Sequence, residues 1–182
     1  MHSPRVILTY QDYLELPDDG KRYEIHEGEL SVTPAPSPDH QDALGNLNEV
    51  VRQHVRSRSL GKVYFAPIDC IIDDTTIVQP DLVFVDNTRL GQITRKGVEG
   101  PPTLAVEVLS PSTARIDRVR KLQLYARYRV PYYWIVDPET RAIEAYRLAN
   151  DRYELAARAE GSEPAALPPF PDLPIVAGLL WS

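Results

Sequence analysis

The sequence predicts an α/β fold, a single domain with a mixed β-sheet flanked by helices. Three observations predict it. At 182 residues the chain can build one full hydrophobic core and has little length left for a second. The short apolar runs 82–85, 104–109 and 132–136 suit strands buried on both faces. The last two of these runs are separated by a helical stretch, and a strand–helix–strand unit of that length makes a crossover between neighbouring strands of one sheet. Hydrophobic residues at 43% and charged residues at 25% are ordinary for a folded chain and exclude a disordered one.

Taken in order, Thr9 caps a short helix beginning at Tyr10. Tyr23–His26 and Glu29–Val32 flank Glu27-Gly28, which reads as a hairpin turning at the glycine. Pro34, Pro36 and Pro38 then interrupt regular structure. His40, Leu44, Leu47, Val51 and Val55 repeat at helical spacing, and Gly61 marks the end of a helix running from Asp39 to about Ser59. Residues 63–65 and 68–72 are strand-like, with a turn at Asp73-Asp74. After the run 104–109, Ser110-Pro111-Ser112-Thr113 supplies the cap and proline of a helix expected to reach Arg129. Residues 143–146 pair back on 132–136 through the turn 137–140. The stretch from Pro164 to Pro174 carries five prolines and is expected to lie as an extended, polyproline-like tail on the surface. The whole is one domain, 1–182, with its core at about 20–148.

Some classes of function are disfavoured. No run approaches the ~18 apolar residues that span a bilayer. Met1–Arg5 opens no apolar leader, so the expected compartment is the cytoplasm. Cys70, the single cysteine, sits in an apolar run and reads as a small buried hydrophobe. Trp134 and Tyr133 read as core. The net charge of −6 argues against a large nucleic-acid footprint, yet 113–129 holds six basic residues against the one acid Asp117. A basic helix of that kind suits a phosphate backbone.

Three residues stand out chemically. Glu107 lies inside an apolar strand, where an ionised carboxylate is costly unless paired or metal-bound. Asp81 opens a second buried strand directly after Pro80. Two carboxylates brought together by one sheet repel, and a hard divalent cation relieves the repulsion. Lys121 belongs with Leu124, Tyr125 and Tyr128 rather than with the outward stripe Arg120, Gln123 and Arg127. Its stem can pack while its ammonium points to the sheet edge. Each has a structural alternative: a strand-edge cap for Asp81, a buried ion pair with a helix arginine for Glu107, and an i,i+4 pair with Asp117 for Lys121. His40 reads first as a packed helix residue and Glu24 as a member of a cross-strand pair.

Gln79-Pro80-Asp81, Val106–Ser112, Asp117–Lys121 with Tyr125-Ala126, and Val130–Pro138 together resemble the Uma-type putative restriction endonucleases. So do Tyr23–Leu30 and Pro36–Gln41. The resemblance covers roughly residues 9–148. It implies a PD-(D/E)XK nuclease-like core, with Pro80-Asp81 as the first half of the signature and Glu107 as the acid of the second. The lysine of that signature would stand at 109, where this chain has Leu109; the resemblance points instead to Lys121 on the next helix. It further implies hydrolysis of DNA phosphodiester bonds with Mg²⁺ (or Mn²⁺ in its place) held by Asp81, Glu107 and the Val108 carbonyl, RNA being left open as substrate. Homodimers are common in the superfamily. Supporting roles fall to Glu24, His40, Gln79 and Asp117, and phosphate contacts to Arg115, Arg118 and Arg120. Leu109 and the acidic net charge motivate an alternative, a catalytically inactive nucleic-acid-binding or dimeric assembly module of the same fold.

Overall fold

Two β-sheets meet along a line of buried side chains, and the helices close the outer faces. The computed structural model describes residues 6–182; the N-terminal expectation for Met1–Arg5 lies outside them. Helix α1 (Tyr10–Leu14) is capped by Thr9, whose amide and hydroxyl both donate to Asp12. Strands β1 (Arg22–His26) and β2 (Glu29–Thr33) form the expected hairpin. Its turn residues Glu27 and Gly28 both have positive φ, at 51° and 82°, the conformation that two-residue hairpin loops require.

Helix α2 (Pro38–Ser57) starts at Ser37, whose hydroxyl accepts from the His40 amide, with Pro38 in the first turn. Its buried face is His40, Ala43, Leu44, Leu47, Val51 and Val55, which is the periodic set read from the sequence with Ala43 added. The chain continues through β3 (Gly61–Phe65), β4 (Cys70–Asp73), β5 (Thr76–Val78), β6 (Leu82–Asp86), β7 (Val98–Glu99) and β8 (Leu104–Val108). A helical stretch comes next, then β9 (Tyr132–Asp137), β10 (Ala142–Ala149), β11 (Arg152–Glu160), β12 (Pro164–Ala166) and β13 (Pro174–Val176).

The larger sheet has the order β11-β10-β9-β8-β6-β3, and the smaller one β2-β1-β5-β4-β7. β8 and β9 are parallel, as the crossover requires, while β6 runs antiparallel to β8. Leu104, Val106 and Val108 face α2 and the C-terminal segment. Ala105 and Leu109 face the other way, toward Tyr125, Tyr133 and residues of the smaller sheet such as Cys70 and Val78. The alternation of side chains along β8 puts Glu107 on this second face.

The structure corrects two expectations. The helix expected as far as Arg129 ends at Arg127, and it is not a regular α-helix: Ile116–Lys121 is π-helical before α3 (Leu122–Arg127) begins. The proline-rich 164–174 segment is not a surface tail. Leu167, Phe170 and Leu173 are buried in the main core, and β12 and β13 pair with each other. The Phe170 ring meets those of Phe84 and Trp134 at 5.0 and 5.9 Å, and the Trp134 indole donates to the Pro168 carbonyl at 2.7 Å. The prolines stiffen the backbone between these anchors without stopping the anchors from packing.

Candidate active site

β6 and β8 are offset in register, and the site forms where the end of β8 runs on past the start of β6. The pairing Leu82 with Val106 places Asp81, one residue before β6, opposite Glu107. Both carboxylates line one cavity of about 230 Å³, together with Arg22, Glu24, His40, Val108, Asp117 and Lys121. Asp81 and Glu107, 26 residues apart in the chain by subtraction of their numbers, therefore share one space.

Asp81 is held from three sides. Arg22 Nη1 donates to Oδ1 at 2.7 Å; the Val108 amide donates to Oδ2 at 2.8 Å; His40 Nε2 lies 3.2 Å from Oδ2. Burial alone would push this carboxyl up, but the His40 hydrogen bond and the Arg22 charge outweigh it and hold the group below the ordinary aspartate value. Val108 thus presents its amide to Asp81, and in an extended strand its carbonyl leaves from the same edge.

Lys121 is buried and binds two sheets to the helix. Its Nζ donates to Glu107 Oε1 at 2.9 Å and to Glu24 Oε1 at 3.1 Å, and lies 3.7 Å from Asp117 Oδ1. Tyr125 adds a hydrogen bond to Glu107 Oε1 at 2.8 Å. Both contacts of Glu107 fall on Oε1, and Oε2 accepts nothing among the described residues. Glu24 also takes the Gln79 amide at 2.6 Å and faces His26 Nε2 at 3.1 Å. The partner of Glu107 is therefore Lys121 and Tyr125, not a helix arginine, and the Asp117 contact is the longest of the three that Lys121 makes with carboxylates.

The π-helical segment explains this convergence. A π-turn holds more than four residues and an α-turn fewer, so the angular drift from 117 to 121 is offset by that from 121 to 125. Asp117, Lys121 and Tyr125 consequently follow one line down the helix, toward Glu107.

Four carboxylates (Glu24, Asp81, Glu107, Asp117) face this cavity against two fixed cations, Arg22 and Lys121, leaving two negative charges in excess when all are ionised. Glu107 feels this excess on top of its burial. Burial pushes its carboxyl well above the ordinary glutamate value, Lys121 opposes this, and the charges of Asp117, Asp81 and Glu24 add to it. Asp117 is raised by burial as well. Glu24, with Lys121 and His26 beside it, is held low despite its burial. Among the described residues, no three His, Cys, Asp or Glu side chains converge so as to hold a metal ion by themselves. The set of hard oxygens and the double negative excess fit a cation that takes two carboxylates and keeps much of its water, as Mg²⁺ does.

Not every expected residue reaches the cavity. Gln79 supports it indirectly, through its amide on Glu24 and its side chain on Asp69 and Tyr13. Arg118 is engaged by Asp137 and Glu144, Arg120 by Glu29 and the His26 carbonyl, and Arg115 is absent from the lining. Arg22 escaped the sequence reading. It begins a hairpin strand between polar neighbours, and its carboxylate partner lies 59 residues away.

The family described as "Uma2: Putative restriction endonuclease" matches residues 10–177. A solved structure of a putative nuclease belonging to DUF820 from Anabaena variabilis ATCC 29413 has the same fold, with a TM-score of 0.77 at 18% identity, covering 96% of this chain and 97% of that one. No curated protein matches. No helix among the described residues is long and apolar enough to cross a membrane.

Proposed function

This chain belongs to the Uma2 family of putative restriction endonucleases, and from that premise we propose that it is a Mg²⁺-dependent endonuclease hydrolysing DNA phosphodiester bonds. The observation that carries the reading is the meeting of Asp81 and Glu107 in one cavity, with the buried Lys121 ammonium 2.9 Å from Glu107.

Asp81, Glu107 and the Val108 carbonyl would hold the cation. Bound there, Mg²⁺ supplies Lewis-acid polarisation of the scissile phosphate and acidifies water. Lys121 contributes a fixed positive charge where negative charge develops on the phosphate, and it orients water against Glu107. Burial opposes its charge, but the three carboxylates Glu107, Glu24 and Asp117 outweigh burial and keep it protonated, so it acts as an electrostatic and positioning group rather than a base. Tyr125 and His40 fix the rotamers of Glu107 and Asp81, and Arg22 supplies a second cation for phosphate.

The position of Lys121 also supports this reading over the inactive module. The lysine lacking at 109 is supplied from the helix, and its ammonium reaches the same carboxylate. We further read the protein as a cytoplasmic homodimer; light scattering that finds only monomer at micromolar concentration would remove the dimer.

Cleavage of plasmid and oligonucleotide DNA is the test. Activity is expected with Mg²⁺ or Mn²⁺, to vanish with chelator, and to be lost in both Asp81→Ala and Glu107→Ala. Equal residual cleavage in the two variants would identify a contaminant and leave the reading without support.

A further inference from the structure

A second cavity, of about 420 Å³, adjoins the carboxylate site and shares Arg22, His40 and Asp81 with it. The geometry points to this cavity as a subsite for one unpaired nucleotide flanking the scissile phosphate, with Arg22 holding that nucleotide's phosphate. The inference rests on the nuclease reading and adds to it a substrate class, DNA that is single-stranded or locally opened at the cut.

Arg22 stands at the junction. Its Nη1 donates to Asp81 and to the Gln79 carbonyl, while Nε and Nη2 donate to nothing among the described residues. A planar guanidinium with one edge committed and another free is suited to paired contacts with phosphate oxygens. Asp81 fixes the committed edge, so the free edge is presented in one orientation.

The walls beyond Arg22 suit a base. Pro36, Leu44, Ala66 and Pro67 offer apolar surface, and Gln41 brings a side-chain amide with no partner among the described residues. An amide can exchange hydrogen bonds with a base edge, and apolar walls accept the face of the ring. The volume lies in the range of about 300–1,000 Å³ usual for small-ligand pockets. It accommodates one base and its sugar, not a pair held in its stack. A base entering it has left the duplex, which is least costly where the strand is already unpaired. Lys21 lines the same cavity, and its pair with Asp19 is exposed and so easily exchanged for phosphate. Asp18 lines it as well, a second carboxylate beside the Arg22-bound Asp81.

The experiment is calorimetric titration of the metal-free protein with deoxyadenosine 5′-monophosphate and, separately, with inorganic phosphate. The nucleotide is expected to bind at least about tenfold more tightly than phosphate. Gln41→Leu, at an exposed helix position, removes the amide without adding charge; it should abolish that advantage while phosphate, held by Arg22, keeps its affinity. Arg22→Lys should weaken both, and circular dichroism verifies that each variant is folded. Equal affinity for the two ligands, or a nucleotide advantage that survives Gln41→Leu, overturns the subsite. The assays also separate the two readings. Nucleotide binding with this dependence but no metal-dependent DNA cleavage would sink the nuclease and leave the subsite standing. Cleavage that does not distinguish single strands from blunt duplex would sink the subsite and leave the nuclease.

Discussion

At the scale of single residues, the site is a problem of buried charge, and Lys121 is the main solution. Its loss would leave Glu24, Glu107 and Asp117 facing one another in the interior. Breaking a buried ion network from one side costs roughly 3–5 kcal/mol. Lys121→Met is therefore expected to lower stability by about that much and to abolish cleavage. Adding Glu24→Gln should return part of the stability and none of the activity, as read by denaturant unfolding and a cleavage assay; joint recovery would reduce Lys121 to a structural role. Glu107 makes the matching prediction in pH. Its folded-state value is raised, so the stability it contributes is present below the ordinary glutamate value of about 4.3 and is lost as pH rises through the folded value. Asp81 and Glu24 are held low, so their contribution is present above that ordinary range and is lost on acidification. Metal-free protein should thus lose stability on the alkaline side of the glutamate range, and Glu107→Gln should flatten that limb. Mg²⁺ binding should release a proton and tighten as pH rises, which calorimetry in two buffers of different protonation heat detects. Proton uptake on binding would contradict this.

At the scale of elements, what was legible in the sequence tracks the strength of each local signal. The face of α2 was readable because five positions at helical spacing carry it. Glu107 was readable because a charge inside an apolar strand is an anomaly in its own segment. β5, three residues long, left no period to detect, and β11 alternates too weakly, being exposed along most of its length. The five prolines of 164–174 signal an extended surface path, and the buried anchors Leu167, Phe170 and Leu173 among them follow no strand or helix period that would reveal their packing. The buried status of Phe170 gives that correction a test. Phe170→Ala should cost about 3–5 kcal/mol, seen as a lowered denaturation midpoint, whereas a surface tail would tolerate it. The π-helical segment was also illegible, since no residue type marks it, yet it aligns Asp117, Lys121 and Tyr125. Deleting the exposed Val119 would restore α-helical spacing, leave Asp117 and Lys121 three residues apart instead of four, and turn one against the other by some tens of degrees. The expected result is a folded protein, by circular dichroism, whose cleavage has fallen to background. Retained activity would mean that the alignment does not matter.

At the scale of the whole molecule, the question is how an acidic chain engages a polyanion. The basic helix does not offer the charge its composition suggests, because Arg118, Arg120 and Arg127 are each occupied by carboxylates. Arg115 has no described carboxylate partner but stays outside the cavity linings, so at the cleft this leaves chiefly the uncommitted edge of Arg22 and Lys21, whose own pair with Asp19 is exposed. Farther away, Arg52 and Arg56 are exposed on the last turns of α2 without a described carboxylate partner. A helix of 20 residues is about 30 Å long, so these arginines stand far from His40 at its start. Affinity should therefore depend on length. A hexanucleotide that reaches only the cleft should show a shallow salt dependence, with a slope of log K against log salt near −1.4 for about two phosphate contacts at roughly −0.7 each. Strands long enough to follow α2 should show a steeper one. Arg52→Ala with Arg56→Ala should reduce the slope for long strands and leave the hexanucleotide unchanged, as measured by fluorescence anisotropy across a salt series. A steep slope already present for the hexanucleotide would mean that the paired arginines exchange their carboxylates for phosphate, and that the negative surface yields locally to the substrate.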